Sequence, residues 1–215
     1  MVLIFDMDGV IVDNHQWHFD AYLEFGRRHN LNITRDEFGK YFGRSNHFIM
    51  KSIFGENISE SEIISFGEEK ERIYREMYQP FIKPVSGLPE FLLYASTHEI
   101  PVALATAAPA DNVKFTLHET GLESFFNVIT DASMVSFSKP NPEVYLITAA
   151  KLGVQPTDCI VFEDSIPGIM AAQNAGMNVV GVATTNKPEE LLKYVSEIIL
   201  NFESAESLIG KWHSF

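Results

Sequence analysis

The chain has 215 residues, with 16 Lys and Arg against 29 Asp and Glu, for a formal net charge of −13. Its 46% apolar and 21% charged residues are ordinary globular composition and exclude a disordered chain. The acid excess, with no Lys/Arg cluster, argues against a nucleic-acid partner, and no apolar stretch approaches the ~20 residues of a membrane span. The length suits one medium domain, or a core with a smaller insert, and can bury a core without disulfides or a structural metal. The single cysteine, Cys159, lies in the run Cys159-Ile160-Val161-Phe162 and reads as a small buried hydrophobe. The first residues lack the basic region and cleavage site of a signal peptide, so a cytoplasmic location is expected.

Residues 1–5 are an apolar run ending in acid, which predicts a buried strand. From about 14 to 30, Trp17, Ala21 and Phe25 recur at helical spacing. Further helical pieces are predicted at 34–41, 45–54 and 60–78. The last carries Glu68-Glu69-Lys70-Glu71-Arg72 and Arg75-Glu76, which read as a solvated charged face. Gln79-Pro80 and Lys83-Pro84-Val85-Ser86-Gly87 break the pattern. Beyond them, strands at Ile100–Ala105, Asn127–Thr130, Cys159–Phe162, Val179–Val182 and Glu197–Leu200 alternate with helices at Asp111–Glu119, Glu143–Leu152 and Ile166–Ala175. Such alternation calls for an α/β fold, a Rossmann-like parallel sheet with helices on both faces. Residues 1–13 and 84–215 then form the core domain, and 14–83 an inserted all-helical domain. Gly9 and the Pro84–Gly87 segment are its hinge candidates.

In open parallel sheets, ligands bind at the carboxyl ends of the strands. Asp6, Asp8 and Gly9 follow the first strand, Thr106 the second, and Glu163, Asp164 and Ser165 the Cys159 strand, while Ser138-Lys139-Pro140 precede a helix. Four carboxylates, a hydroxyl and a lysine would converge on one rim. Acids packed together raise each other's pKa unless a cation neutralises them. A hard divalent cation with oxygen ligands, magnesium above all, resolves that repulsion. A single acid at a strand end is commonly a helix cap; the full set in this order points to a site.

These residues resemble the haloacid dehalogenase superfamily. Asp6-Met7-Asp8-Gly9-Val10 after an apolar strand resembles its first motif, Thr106 its second, Lys139-Pro140 its third and Glu163-Asp164 its fourth. The helical insert resembles the cap of the beta-phosphoglucomutase-like branch, as do Asp13, His18, the Gly43-Arg44-Ser45 turn and Ser165-Ile166-Pro167-Gly168. The resemblance spans essentially the whole chain. It implies that Asp6 is a nucleophile that becomes an aspartyl phosphate and that Asp8 is the general acid-base. It implies that Mg2+ is held by Asp6, Glu163, Asp164 and the main-chain carbonyl of Asp8. Thr106 and the Ala107 amide would bind phosphoryl oxygens, and Lys139 would neutralise the charge gathered on Asp6 and the phosphoryl group. Asp8 separates the chain from true dehalogenases, which lack an acid there, and from phosphonatases, which use a cap lysine; Lys51 reads as a solvated surface residue.

Phosphatase and sugar phosphomutase share that aspartyl phosphate. His18 stands where the branch has its cap-hinge histidine, and Lys70 matches a cap lysine of the mutase. The mutase's Gly-x-Ser-Arg reads here Gly43-Arg44-Ser45-Asn46, so its phosphate-clamping arginine is replaced by Asn46 and displaced to Arg44. Asparagine cannot supply the charge of an arginine fork. The hinge threonine of the mutase is Asn14. A phosphatase acting on a small phosphomonoester, a sugar phosphate, is therefore expected, with the mutase as alternative. His18, Arg44, Asn46 and Lys70 are the candidate substrate-binding residues of the cap. Trp17 and Phe42 read as packing between cap helices, and His29, His98, His118 and His213 as surface residues. A small phosphorylated metabolite is the expected partner, with no nucleic acid or membrane and a monomeric chain. A phospho-accepting receiver module is disfavoured, being about half this length and without a helical insert. A catalytically dead binding module is disfavoured by the intact Asp6, Asp8, Thr106, Lys139 and Asp164.

Overall fold

The computed structural model describes residues 1–39 and 45–212. The chain divides into two compact units, Met1–Asp13 with Lys83–Phe215, and Asn14–Ile82. Among the described residues of the first unit, six strands form one parallel sheet: β1 (Val2–Phe5), β2 (Val102–Ala105), β3 (Val128–Thr130), β4 (Cys159–Glu163), β5 (Asn178–Val182) and β6 (Glu197–Ile199). Their order is β3-β2-β1-β4-β5-β6. Sheets covered on both faces need strands that are apolar at nearly every position, as VLIF of β1 and CIVF of β4 are.

Among the described residues the α-helices are α1 (His15–Arg28), α2 (Arg35–Gly39), α3 (Asn46–Phe54), α4 (Glu60–Tyr78), α5 (Leu88–Thr97), α6 (Ala110–Thr120), α7 (Glu143–Leu152), α8 (Ile166–Asn174), α9 (Pro188–Leu191) and α10 (Glu206–Trp212). Strand residues alternate between faces. Val2 and Ile4 pack with Ala103, Ala105 and Val161 against Tyr145 and Ala149 of α7 and Ile169 and Ala172 of α8. On the other face Phe5 stacks on Phe162, with centroids 4.8 Å apart, and meets Phe91 of α5, Phe126 and Phe202. Among the described residues no helix is long and apolar enough to cross a membrane.

Helix α5 is absent from the sequence expectation, as are α9 and α10. Leu88, Phe91, Leu92 and Ala95 bury one stripe of α5, and Pro89 sits in its first turn, where a missing amide proton costs no hydrogen bond. The hinge candidate Pro84–Gly87 is tied by main-chain hydrogen bonds on both sides. The Val85 amide donates to the Ile11 carbonyl at 2.9 Å and the Phe202 amide to the Ser86 carbonyl at 2.8 Å. Gly87, at φ +77°, lies against the Phe202–Glu203 backbone, where a Cβ would clash. This segment is thus hydrogen-bonded within the core unit.

In the second unit α1 packs on α4. A capping box opens α4, with Ser59 accepting from the Glu62 amide while Glu62 accepts from that of Ser59. Trp17 stacks on Tyr78 and Phe81 at 5.3 and 4.7 Å, so it packs as expected. Phe42 lies outside the described residues. His29 departs from its surface expectation: it sits among Phe25, Phe54 and Phe66 and shares a 2.8 Å hydrogen bond with Glu69.

The charged run on α4 departs as well. Glu68, Arg72 and Glu76 are exposed, but Lys70 and Glu71 are only 2% and 5% exposed. Helical spacing puts both beside Ile63, Gly67, Tyr74 and Tyr78, on or next to the buried stripe.

Candidate active site

The register places Phe5 of β1 opposite Leu104 and Phe162, so Asp6 leaves the sheet level with Ala105 and Glu163. The Asp6 amide continues the ladder, donating to the Phe162 carbonyl at 3.0 Å. Beyond it the chain folds into a tight turn in which the Val10 and Ile11 amides donate to the Met7 carbonyl. Asp6 is thereby held on a rigid strand end, and its side chain takes the α7/α8 side with Ile4.

Lys139 reaches this point from the loop before α7. Its Nζ donates to Asp6 Oδ1 at 2.7 Å and to Glu163 Oε1 at 2.6 Å. The Glu143 carboxylate accepts the Ser136 and Phe137 amides at 2.8 Å each and braces the loop. Burial disfavours the ammonium, yet Asp6 and Glu163 outweigh it and hold Lys139 well above its usual pKa. Tyr145 Oη donates to Glu163 Oε1 at 3.1 Å, and the Ser165 amide and hydroxyl donate to Glu163 Oε2 at 2.8 and 3.0 Å.

Asp164 is the contrast. It is 1% exposed, and neither carboxylate oxygen has a hydrogen-bond partner among the described residues. The Thr185 hydroxyl stands beside it without normal hydrogen-bond geometry. Asn186 Nδ2 fixes its main chain by donating to the Asp164 carbonyl at 2.8 Å. Two glycines make room for the two acids: a Cβ on Gly9 would fall on the Asp164 carboxylate, and one on Gly168 on that of Glu163. Burial, reinforced by Glu163 and Asp6, pushes Asp164 well above the usual carboxylate range. Burial likewise pushes Asp6 up to about 7 against the pull of Lys139, with Glu163 and Asp8 adding to the rise.

Among the described residues, Asp6, Glu163 and Asp164 each bring a carboxylate oxygen within 4.8 Å of the others. A buried acid whose oxygens accept no well-formed hydrogen bond, set beside two more acids, is a set that a hard cation fits. The Asp8 carboxylate is outside that set and half-buried, though near enough to raise Asp6. Thr106 is buried at the end of β2; its amide donates to the Thr130 carbonyl at 2.9 Å and its hydroxyl accepts the Ala108 amide at 3.0 Å. Ala107 follows it, half-buried.

Within the second unit, Lys70 Nζ lies 3.4 Å from His18 Nδ1, and His18 stacks on Tyr74 at 3.9 Å. Lys70 is ion-paired with Glu71 at 2.5 Å, and Asn46 Nδ2 donates to the same Glu71 Oε1 at 2.9 Å. Asn14 Nδ2 donates to the Tyr74 hydroxyl at 2.7 Å. Lys70 and Asn46 thus meet on Glu71, and His18 joins them through Lys70. Arg44 lies outside the described residues. Sequence reasoning missed Tyr145, Glu71 and Asn186. Tyr145, on the buried face of the next helix, reads as packing; the helical spacing of Glu71 from Ile63, Gly67 and Tyr74 was a signal of burial, and Asn186 offered none.

The family profile described as haloacid dehalogenase-like hydrolase matches residues 3–182. The phosphorylated carbohydrates phosphatase of Thermotoga maritima is 29% identical over 92% of this chain and 99% of its own. The fructose-1-phosphate phosphatase of Escherichia coli is 33% identical over 84% of this chain and 95% of its own. The crystal structure of beta-phosphoglucomutase from Clostridium difficile superposes with a TM-score of 0.86 at 27% identity, covering 99% of this chain and 96% of that one. With the profile spanning most of its length and the strand-end acids in place, the chain belongs to the haloacid dehalogenase-like hydrolase family.

Proposed function

We propose that this chain is a magnesium-dependent phosphatase of a small sugar phosphate, working as a monomer through an aspartyl phosphate on Asp6. The observation that carries the reading is Lys139 bridging Asp6 and Glu163 beside the unpartnered Asp164. The phosphatase names of the two relatives support the substrate class.

A carboxylate oxygen of Asp6 attacks phosphorus, and the bond from phosphorus to the sugar oxygen breaks. Asp8 gives that leaving oxygen its proton. Asp8 then takes a proton from water, whose oxygen attacks phosphorus, releases inorganic phosphate and restores the Asp6 carboxylate. Lys139 spends two of its three N–H groups on Asp6 and Glu163, which leaves one for a phosphoryl oxygen. Thr106 and the Ala107 amide hold the other phosphoryl oxygens. The cation would be held by Asp6, Asp164 and the Asp8 main-chain carbonyl, and when bound it neutralises the charge of the acids and the phosphoryl group. His18, Arg44, Asn46 and Lys70 contribute to binding the rest of the substrate.

Glu71 favours the phosphatase over the mutase. It already occupies Lys70 and Asn46, so a second phosphate would have to compete with the cap's own acid. The mutase remains the second reading because of the His18–Lys70 contact and the structural likeness to beta-phosphoglucomutase. One assay separates them: beta-glucose 1-phosphate with Mg2+ and a trace of glucose 1,6-bisphosphate, following glucose 6-phosphate and free phosphate together. Free phosphate alone, extended over a panel of sugar monophosphates, supports the phosphatase. Glucose 6-phosphate outpacing phosphate supports the mutase, and no turnover on the whole panel would refute both.

A further inference from the structure

We propose that Thr184, on the loop after β5, is a positioning residue for Asp8: its hydroxyl holds the turn that carries this carboxyl and so governs proton delivery to the leaving oxygen. This rests on the acid–base reading of Asp8 given above. The turn after β1 closes on itself, with the Val10 and Ile11 amides donating to the Met7 carbonyl and the Gly9 amide to the Val12 carbonyl at 2.7 Å. The Gly9 carbonyl accepts from outside that turn, from the Thr184 hydroxyl 175 positions away in the chain. Gly9, next to Asp8, is thus held through both its amide and its carbonyl. At φ +79° it has the backbone freedom only glycine enjoys, and the bond from Thr184 removes slack from the residue adjoining Asp8.

The donor is itself well seated. Strand β4 lies between β5 and β1, so Thr184 acts across two strand spacings, about 10 Å. The Ala183 amide extends the β5–β6 ladder, donating to the Ile199 carbonyl at 2.8 Å, and the Thr184 amide turns back on the Val182 carbonyl at 3.0 Å. Two residues on, Asn186 Nδ2 donates to the Asp164 carbonyl at 2.8 Å. The Lys187 amide donates to the Glu190 carboxylate at 3.0 Å and opens α9. The loop therefore keeps its own fastenings when the Thr184 hydroxyl is removed, and it is the Gly9 turn that loosens. Asp6 stays where it is, because its amide is held in the ladder by the Phe162 carbonyl. A loosened turn thus touches the proton step and spares the attacking carboxylate.

Thr184→Val keeps the shape of the side chain and removes the donor. On the sugar monophosphate turned over fastest in the panel above, its kcat is expected to fall about 10–100-fold, the order of a misplacement of about 1 Å, with KM within about threefold of wild type. On p-nitrophenyl phosphate, whose leaving group departs without a proton, the loss should stay within about threefold. Thr184→Ser, which keeps the hydroxyl, should retain turnover of the sugar phosphate. In an Asp8→Asn background the same Thr184→Val change should cost no more than about threefold, because the two residues act as one unit. Thr184→Ala carries these measurements if Thr184→Val does not fold. An undiminished kcat on the sugar phosphate, equal losses on the two substrates, failure of Thr184→Ser to retain turnover, or a full loss in the Asp8→Asn background would overturn the proposal alone. Equal losses on the two substrates for Asp8→Asn itself, or a wild type without turnover, would overturn the reading of Asp8 and this proposal with it.

Discussion

Gly9 and Asp164 share one volume: the Asp164 carboxylate lies where a Cβ on residue 9 would stand. Gly9 also holds φ +79°, which costs a non-glycine residue roughly 1–2 kcal/mol. Gly9→Ala should displace the unpartnered acid and lower kcat about a hundredfold, the order expected for a misplacement of about 1 Å. Steady-state kinetics beside a thermal melt checks this; wild-type kcat in a folded variant would show that Asp164 need not stand where it does.

Asp6→Asn should remove turnover by at least about a thousandfold while the fold persists, because it deletes the attacking oxygen. The far-ultraviolet circular dichroism should match wild type. Retention of wild-type rates would discard Asp6 as the nucleophile.

Asp8→Asn is expected to cost about 10²–10⁴ on a sugar phosphate but much less on p-nitrophenyl phosphate, whose leaving group departs without a proton. Half-buried Asp8, standing close enough to raise Asp6, has the exposure such a proton carrier needs. Equal losses on the two substrates would remove the acid role.

Cys159 is buried in β4, and burial pushes its thiol up to about 11. Because its pKa is raised, the neutral thiol persists throughout pH 7–9, and the reactive thiolate is scarce. Ellman's reagent should label it fully in denaturant and hardly at all in the native protein. Prompt native labelling at pH 8 would contradict the burial.

Ser59→Ala should destabilise the helical unit by about 1 kcal/mol through loss of the cap on α4. Its partner Glu62 has its pKa held below the usual carboxylate value by the Ser59 hydroxyl and amide. The sign follows: the stabilisation by ionised Glu62 is present above the unfolded carboxyl pKa and disappears as pH falls through the depressed folded value. Melting temperatures of wild type and Glu62→Gln should therefore differ at pH 7 and converge in acid.

The strand-end rim was readable because each of its residues follows an apolar run whose end is sharp in sequence. Asp6, Thr106 and Glu163-Asp164 need only that parallel strands gather their carboxyl ends. Tyr145 was not readable, since a tyrosine on the apolar face of a helix looks like packing until its hydroxyl is seen on Glu163. Lys70 and Glu71 were misread because their charge suggested solvent, whereas their spacing from Ile63, Gly67 and Tyr74 suggests burial. Periodicity and composition disagreed there, and periodicity prevailed. Helix α5 starts directly after the breaking run Lys83–Gly87 and carries Pro89 in its first turn, so no helix was expected there.

Strand β1 lies mid-sheet, yet its two neighbours, β2 and β4, begin at Val102 and Cys159. Both edges of its VLIF backbone cannot be paired until translation has passed Glu163, about ten to thirty seconds later at ribosomal rates of about 5–20 residues per second. During that interval the nascent protein carries an unshielded apolar strand, a template for intermolecular pairing. The placement that holds Asp6 rigid in the finished fold thus leaves the growing polypeptide with an open apolar strand edge until β4 is made.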